Sequence, residues 1–170
     1  MPTVAVARAT FSPPGRSILG SSTLPRSILI LDHGSQYTQL IARRVRELNV
    51  YCEIHPFSKA QQYINDPDIA GVILSGSPSS VHEPNAPDTD LNGFLGRLPI
   101  LAVCYGAQLL AKRAGAPVER SKVREYGRAH LSTIVQNELF DGIEAGTQAW
   151  MSNGDTITAP SEAMEVIAST

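Results

Sequence analysis

The 170-residue chain has two cysteines, Cys52 and Cys104, a single tryptophan, and four histidines. Two thiols cannot make a disulfide framework, and that sparing use fits a reducing compartment. His33, His55, His82 and His130 are too scattered for the short ligand spacings of a metal site. No apolar run approaches the ~20 residues that a bilayer-spanning helix needs. Charge of one sign is missing too. A net charge of −2 and a pI near 6.1 give no electrostatic reason to bind nucleic acid or an anionic membrane. Internal repeats are absent. The remaining composition, 42% hydrophobic and 18% charged, is that of a soluble globular protein with one sizeable core and too little chain for two ordinary domains.

From Met1 to about Arg26 the chain is rich in Ser, Thr, Pro and Gly, carries Arg8, Arg16 and Arg26, and has no acidic residue before Asp32. Such a stretch cannot bury a core. It is similar to an organelle transit peptide, which would make the protein organellar rather than cytoplasmic; a disordered extension or a non-native upstream start accounts for it equally well. Residues 1–26 are therefore read as a tail and 27–170 as the folded domain.

Ser27-Ile28-Leu29-Ile30-Leu31-Asp32 is apolar on both faces, as a central parallel strand must be. His33-Gly34-Ser35-Gln36 is the turn after it. Between Tyr37 and Leu48 the residues Leu40, Ile41, Val45 and Leu48 share one helical face, opposite Arg43, Arg44, Arg46 and Glu47. Val50 to Ile54 then supplies a second strand, completing a β-α-β unit. A short helix is expected near Ala60–Ile64, a third buried strand over Gly71–Ser75, and one or two helical turns between Thr89 and Leu95. Shorter half-buried strands are expected at Ala129–Val135 and Gln148–Met151, a hairpin turn at Asn153-Gly154-Asp155 and a last strand at Met164–Ala168. This alternation is α/β: an open, mostly parallel sheet with helices on both faces.

Two loops follow strands and carry chemistry. Gly76-Ser77-Pro78-Ser79-Ser80 can present backbone N–H groups to an anion, yet it lacks the Lys-Ser/Thr ending of a phosphate loop, so an oxyanion-donor role fits it better. The second is the stretch from Pro99 to Gly115. Pro99-Ile100-Leu101-Ala102-Val103 reads as a buried strand, and helix formers start directly after Cys104 and end at Gly115, a residue suited to a helix C-cap. A residue at so abrupt a strand-to-helix turn is pushed out of the sheet beside the first unpaired N–H groups of the helix, which favour negative charge and so a thiolate. The plainer reading of Cys104 is a small buried hydrophobe. Gly106 and Ala107 weigh against it by leaving room beside the sulfur. Asp32, at the end of the first strand, is read as a carboxylate satisfying turn N–H groups.

Cys104-Tyr105-Gly106-Ala107-Gln108 resembles the nucleophile elbow of the class I glutamine amidotransferases. From Ile28 to Thr170 the order of motifs is similar to the amidotransferase domain of the GMP synthases. The matching segments are Ile30 to Leu40, Arg43 to Leu48, Tyr51-Cys52-Glu53, Gly71 to Pro78, the elbow, Arg124 to Ala129 and Trp150 to Asp155. The last two narrow a general amidotransferase pattern to the GMP synthase type. The resemblance implies that Cys104 attacks the side-chain amide of glutamine, that the backbone N–H groups of Ser77 and Tyr105 hold the oxyanion, and that Gly76, Gly106 and Gln108 shape the glutamine site. Ammonia would pass to an ATP-pyrophosphatase domain, in cis or in trans, that aminates XMP to GMP. ATP and Mg would serve that domain, which is absent here, and no cofactor is implied for this one.

Departures from the family pattern limit what these residues can do. The pattern pairs the cysteine with a His-Pro-Glu motif downstream of the last strand, and the 170 residues contain no such motif. Little or no glutaminase activity is expected of the chain alone, since acid-base groups and nucleophile act as a unit. His33 stands where the family has Phe, and Asn153 where it has a non-catalytic His. His33 is the one candidate for a substitute base; a packed histidine is the commoner case. Against the glutaminase reading stands a non-catalytic module that binds glutamine or a partner synthetase. An unrelated cysteine hydrolase of the same fold class is a third reading, and it leaves the long motif match unexplained.

Overall fold

The structure, a computed structural model, describes residues 5–9 and 26–170. Its strands are β1 (Ala5–Ala9), β2 (Ser27–Asp32), β3 (Cys52–Pro56), β4 (Ile69–Leu74), β5 (Ile100–Ala102), β6 (Val118–His130), β7 (Thr133–Ile134), β8 (Gln148–Ile157) and β9 (Met164–Ser169). The α-helices are α1 (Thr38–Glu47) and α2 (Tyr105–Arg113), with 3₁₀ turns at Phe57–Tyr63 and Glu138–Phe140. Contacts divide the chain into two units, one ending at Leu109 and the other formed by Leu110–Thr170 with β1.

The first unit is a four-stranded parallel sheet in the order β3-β2-β4-β5. Chain order and spatial order part at β2: the chain crosses from β2 outward to β3, then back past β2 to β4. In open parallel sheets, ligands bind beyond the carboxyl ends of the strands at such a switch point. The period-2 alternation of strands decides the two faces. Ile30, Cys52 and Ile73 pack with Ala42 of α1, and Ile28, Ile41, Val45 and Ile54 extend that cluster. Leu29, Leu31, Val72 and Leu74, which alternate with them along β2 and β4, are also buried. Both faces of the central strands are thus covered, as their unbroken apolar sequence requires.

Two sequence expectations are corrected here. The α1 face turned to the sheet runs through Thr38, Ile41, Ala42 and Val45, whereas Leu40 and Leu48 are exposed. The helix forms at the expected spacing, and the stripe it turns to the sheet is narrower than the apolar pattern predicts. β5 is not a buried strand: Leu101 and Val103 are 46% and 41% exposed. Among the described residues it pairs with β4 alone and closes the sheet as an edge, so only one side of it is covered by a neighbour.

The second unit holds two antiparallel sheets, β1-β9-β7 and β6-β8. Residues 5–9 fall inside the stretch read as a tail, yet their backbone forms a ladder with Met164–Ser169; composition does not report such backbone pairing. Residues 1–4 and 10–25 lie outside the described residues. The strand expected over Ala129–Val135 is divided between β6 and β7, which belong to different sheets. Asn153-Gly154-Asp155 is not a hairpin turn. It lies within β8, where the register against β6 shifts between Arg120 and Glu125, and Asn-Gly suits an irregular ladder as well as a turn. The side chains of Ser152, Asn153 and Arg124 to Tyr126 lie outside the described residues.

Candidate active site

The turn leaving β2 is built on Asp32. Its Oδ1 accepts the Gly34 N–H at 2.9 Å and the Thr38 hydroxyl at 2.7 Å, tying the turn to the first residue of α1. Gly34 takes a φ of +96°, open to glycine at no steric cost. His33 is turned inward and buried. Its Nδ1 lies 3.1 Å from the Leu31 carbonyl and its Nε2 2.9 Å from Thr89 Oγ1. A carbonyl only accepts, so Nδ1 carries the proton, and in the neutral ring Nε2 accepts from Thr89. Burial pushes the His33 pKa below its ordinary value, against the opposing pull of the Leu31 carbonyl, Asp32 and Asp88. The ring stacks on Phe57 at 5.6 Å and leans on Tyr105 at 5.8 Å. With both nitrogens committed, His33 is a packed histidine, not the base that takes a proton from Cys104.

At the end of β4, Ser75 is fully buried. Its N–H donates to Leu31 O at 3.1 Å, and its Oγ accepts the His33 N–H at 2.9 Å. The same hydroxyl lies 3.0 Å from Gly76 O and 3.5 Å from Asp32 Oδ1. Gly76 follows, buried; Ser77 is half-buried and Pro78 exposed. A Cβ on Gly76 would sit 3.5 Å from Cys104 Cβ and from Ser35 Oγ, so this loop abuts the cysteine. Among the described residues the Ser77 N–H donates to no backbone carbonyl or side chain, while Ser77 Oγ accepts the Ser79 N–H at 3.2 Å.

Beyond β5 the chain turns sharply. Cys104 adopts a φ of +52°, the left-handed region that costs an L-residue other than Gly roughly 1–2 kcal/mol. The surroundings enforce it. Val103 N–H donates to Leu74 O at 3.0 Å, Gly106 N–H is shared between Ser75 O at 3.1 Å and Val103 O at 3.0 Å, and Gln108 N–H donates to Cys104 O at 3.1 Å. Tyr105 is buried and its hydroxyl donates to Pro87 O at 2.6 Å. Cys104 is half-buried, Cys52 fully buried, and neither forms a disulfide. A strained residue at a strand-to-helix turn, pinned from both sides, is the geometry of a nucleophile elbow. The space read at Gly106 is a correction: a Cβ there would come within 2.7 Å of Leu74 Cβ and Leu74 O and 2.9 Å of Ser75 O. Gly106 is small because the helix start presses on the end of β4, not because it opens room beside the sulfur.

Asp32, His33, Ser75, Gly76, Ser77, Cys104 and Tyr105 thus lie at or just beyond the carboxyl ends of β2, β4 and β5, with Gln108 one turn into α2, its N–H on Cys104 O. The sequence profile described as "Glutamine amidotransferase class-I" matches residues 29–170. The chain belongs to that family. Among curated relatives, a "GMP synthase [glutamine-hydrolyzing]" of Cytophaga hutchinsonii is 57% identical over 148 residues, covering 86% of this chain and 29% of the relative. One of the same name from Phocaeicola vulgatus is 55% identical over 148 residues, covering 86% of this chain and 28% of the relative. The chain therefore spans under a third of the length of these relatives. Among solved structures, a Thermoplasma acidophilum protein described as a GMP synthase subunit superposes with a TM-score of 0.71 at 25% identity, covering 86% of this chain and 74% of that one. A glutamine amidotransferase of Thermotoga maritima, at 20% identity and TM-score 0.61, over 84% of this chain and 70% of that one, shares the fold. The mostly parallel α/β class expected from the sequence is that of these structures.

Sequence reasoning passed over Ser75, Thr89 and Phe57. Ser75 reads in the sequence only as the end of a strand within the matching Gly71 to Pro78 segment, and the other two reach His33 only through the folded chain. Among the described residues, no group of three or more His, Cys, Asp or Glu is placed to hold a metal ion, and no helix is long and apolar enough to cross a membrane.

Proposed function

We propose that this chain is the glutaminase portion of a GMP synthase, releasing ammonia from glutamine for the amination of XMP to GMP. The observation that carries the reading is Cys104, held at positive φ between β5 and α2 with the Gly76-Ser77 loop against it. The sulfur attacks the δ-carbonyl carbon of glutamine, and the carbonyl oxygen becomes an oxyanion facing the backbone N–H groups of Ser77 and Tyr105. As the C–N bond breaks, the proton lost by the thiol leaves with the nitrogen as ammonia, and a γ-glutamyl thioester remains. Water then hydrolyses the thioester to glutamate and restores the thiol. Gly76 and Gln108 border the glutamine site, and Gly106 supports the elbow from beneath. The partner is an ATP-pyrophosphatase domain, in cis or in trans, that uses ATP and Mg. The setting is cytoplasmic, or organellar if residues 1–26 act as a transit peptide.

Proton transfer typically contributes about 100- to 10,000-fold. The 170 residues contain no His-Pro-Glu motif, and His33 is committed to Leu31 and Thr89. The expected result for the purified chain is labelling of Cys104 by a glutamine-analogue affinity reagent, absent in Cys104→Ala, with glutamine turnover at background. Turnover lost in Cys104→Ala would overturn the expectation of an inactive chain. Absence of labelling would overturn the assignment of the glutamine site and favour a module that binds only a partner protein.

A further inference from the structure

Ser75 belongs to no reacting group, yet every polar atom of it is engaged. Its N–H goes to Leu31 O and its carbonyl receives the Gly106 N–H, so the backbone of this one residue joins β2 to the first turn of α2. Its hydroxyl oxygen accepts the His33 N–H at 2.9 Å. The hydroxyl has a single proton to give. Asp32 Oδ1 lies 3.5 Å away and already accepts from Gly34 and Thr38 at 2.9 and 2.7 Å, whereas Gly76 O lies 3.0 Å away. The proton goes to Gly76 O.

That oxygen belongs to the same peptide unit as the Ser77 N–H. The unit is planar and trans, so its C=O and N–H point in opposite directions. Fixing the carbonyl toward Ser75 therefore fixes the Ser77 N–H away from it. In a loop of Gly, Ser and Pro the Gly76-Ser77 peptide has no ladder to hold it, and glycine allows it to flip at little cost. We propose that Ser75 is the positioning residue for the oxyanion site: its hydroxyl, itself held by the His33 N–H, locks the Gly76-Ser77 peptide in the orientation that presents the Ser77 N–H to the oxyanion formed at Cys104. His33 is the anchor of this arrangement, with its ring clamped between Leu31 O and Thr89 and against Phe57 and Tyr105. One buried hydroxyl thus ties the donor loop and the elbow to the same turn.

The proposal rests on the glutaminase reading and sharpens it to one residue. Its test separates steps that need an oxyanion site from steps that do not. The γ-(p-nitrophenyl) ester of glutamate acylates a thiol through a tetrahedral oxyanion, and its leaving group departs as nitrophenolate without needing a proton. Iodoacetamide alkylates the same thiol by direct displacement, with no oxyanion. Both rates are measured on the full 170-residue chain, with the Cys104→Ala background subtracted. Ser75→Ala is expected to lower the ratio of acylation to alkylation about 10- to 100-fold, at or below the loss seen when an oxyanion donor itself is removed, and Ser75→Thr is expected to restore it. A merely structural role would slow both reactions together. If Ser75→Ala does not fold, Ser75→Cys carries the comparison, being near the size of Ser but a weak donor. A ratio within about 2-fold of the parent's in Ser75→Ala or Ser75→Cys overturns the proposal while leaving the glutaminase reading intact. A parent chain whose acylation does not exceed the Cys104→Ala background overturns both.

Discussion

Cys104 carries the largest local conformational cost of the candidate site, and the cost identifies it. A cysteine kept at a φ of +52° when a glycine would relax there indicates that the side chain is retained for its chemistry. The left-handed penalty is roughly 1–2 kcal/mol, and the greater freedom of glycine in the unfolded chain offsets part of it. Cys104→Gly is therefore expected to be more stable than Cys104→Ala by about 0.5–1 kcal/mol in urea unfolding, the reverse of the order in a helix or strand. Equal midpoints would mean that the turn relaxes in solution. His33 supplies the second expectation at this scale. Burial lowers its pKa from the ordinary 6.5, so below pH 6.5 the unfolded chain takes up the proton more readily than the folded one. Folding stability from this group is fully present above pH 6.5 and falls as the pH drops below it. Urea midpoints should decline from pH 7 toward pH 5 more steeply in the parent than in His33→Phe. The same slope in both would show that other groups set the pH dependence.

At the scale of elements, end signals were more legible than faces. Gly115 was expected to end the elbow helix, and it does so at a φ of +79° with Gly115 N–H on Lys112 O and Ala116 N–H on Ala111 O, the two bonds of a Schellman cap. Asn49 ends α1 in the same way, at +59° with bonds to Arg46 O and from Val50 to Val45 O. Such signals are local, and a residue's φ preference carries them. Gly106 was misread because its constraint comes from another element. Leu74 and Ser75 lie against its Cα, and a sequence window around the elbow contains neither. Gly106→Ala is expected to destabilise the fold by about 1–3 kcal/mol, the usual range for overpacking, and to slow labelling of Cys104 as the helix start shifts. Unchanged stability and labelling would mean that the contact opens readily.

At the scale of the whole molecule, the match to relatives is dense but partial, with 57% identity confined to 29% of the relative's length. The expected outcome of labelling without turnover belongs here, because the 170 residues hold the elbow and no His-Pro-Glu motif. The sequence by itself determined the family, the order along the chain of the parallel strands and helices in the first unit, the Gly115 helix cap and Cys104 as the nucleophile candidate. Each rests on a local motif or on a periodicity that any window of the chain displays. Only the tertiary structure decided that β5 is an edge among the described residues, that residues 5–9 pair with β9, that Asn153-Gly154 lies within a strand, and that the His33 ring is clamped between Leu31 O and Thr89. It alone brought Ser75 to the Gly76 carbonyl and the His33 N–H. These depend on which segments meet, and hydrogen bonds between residues more than 40 positions apart, such as His33 to Ser75, leave no periodicity to read.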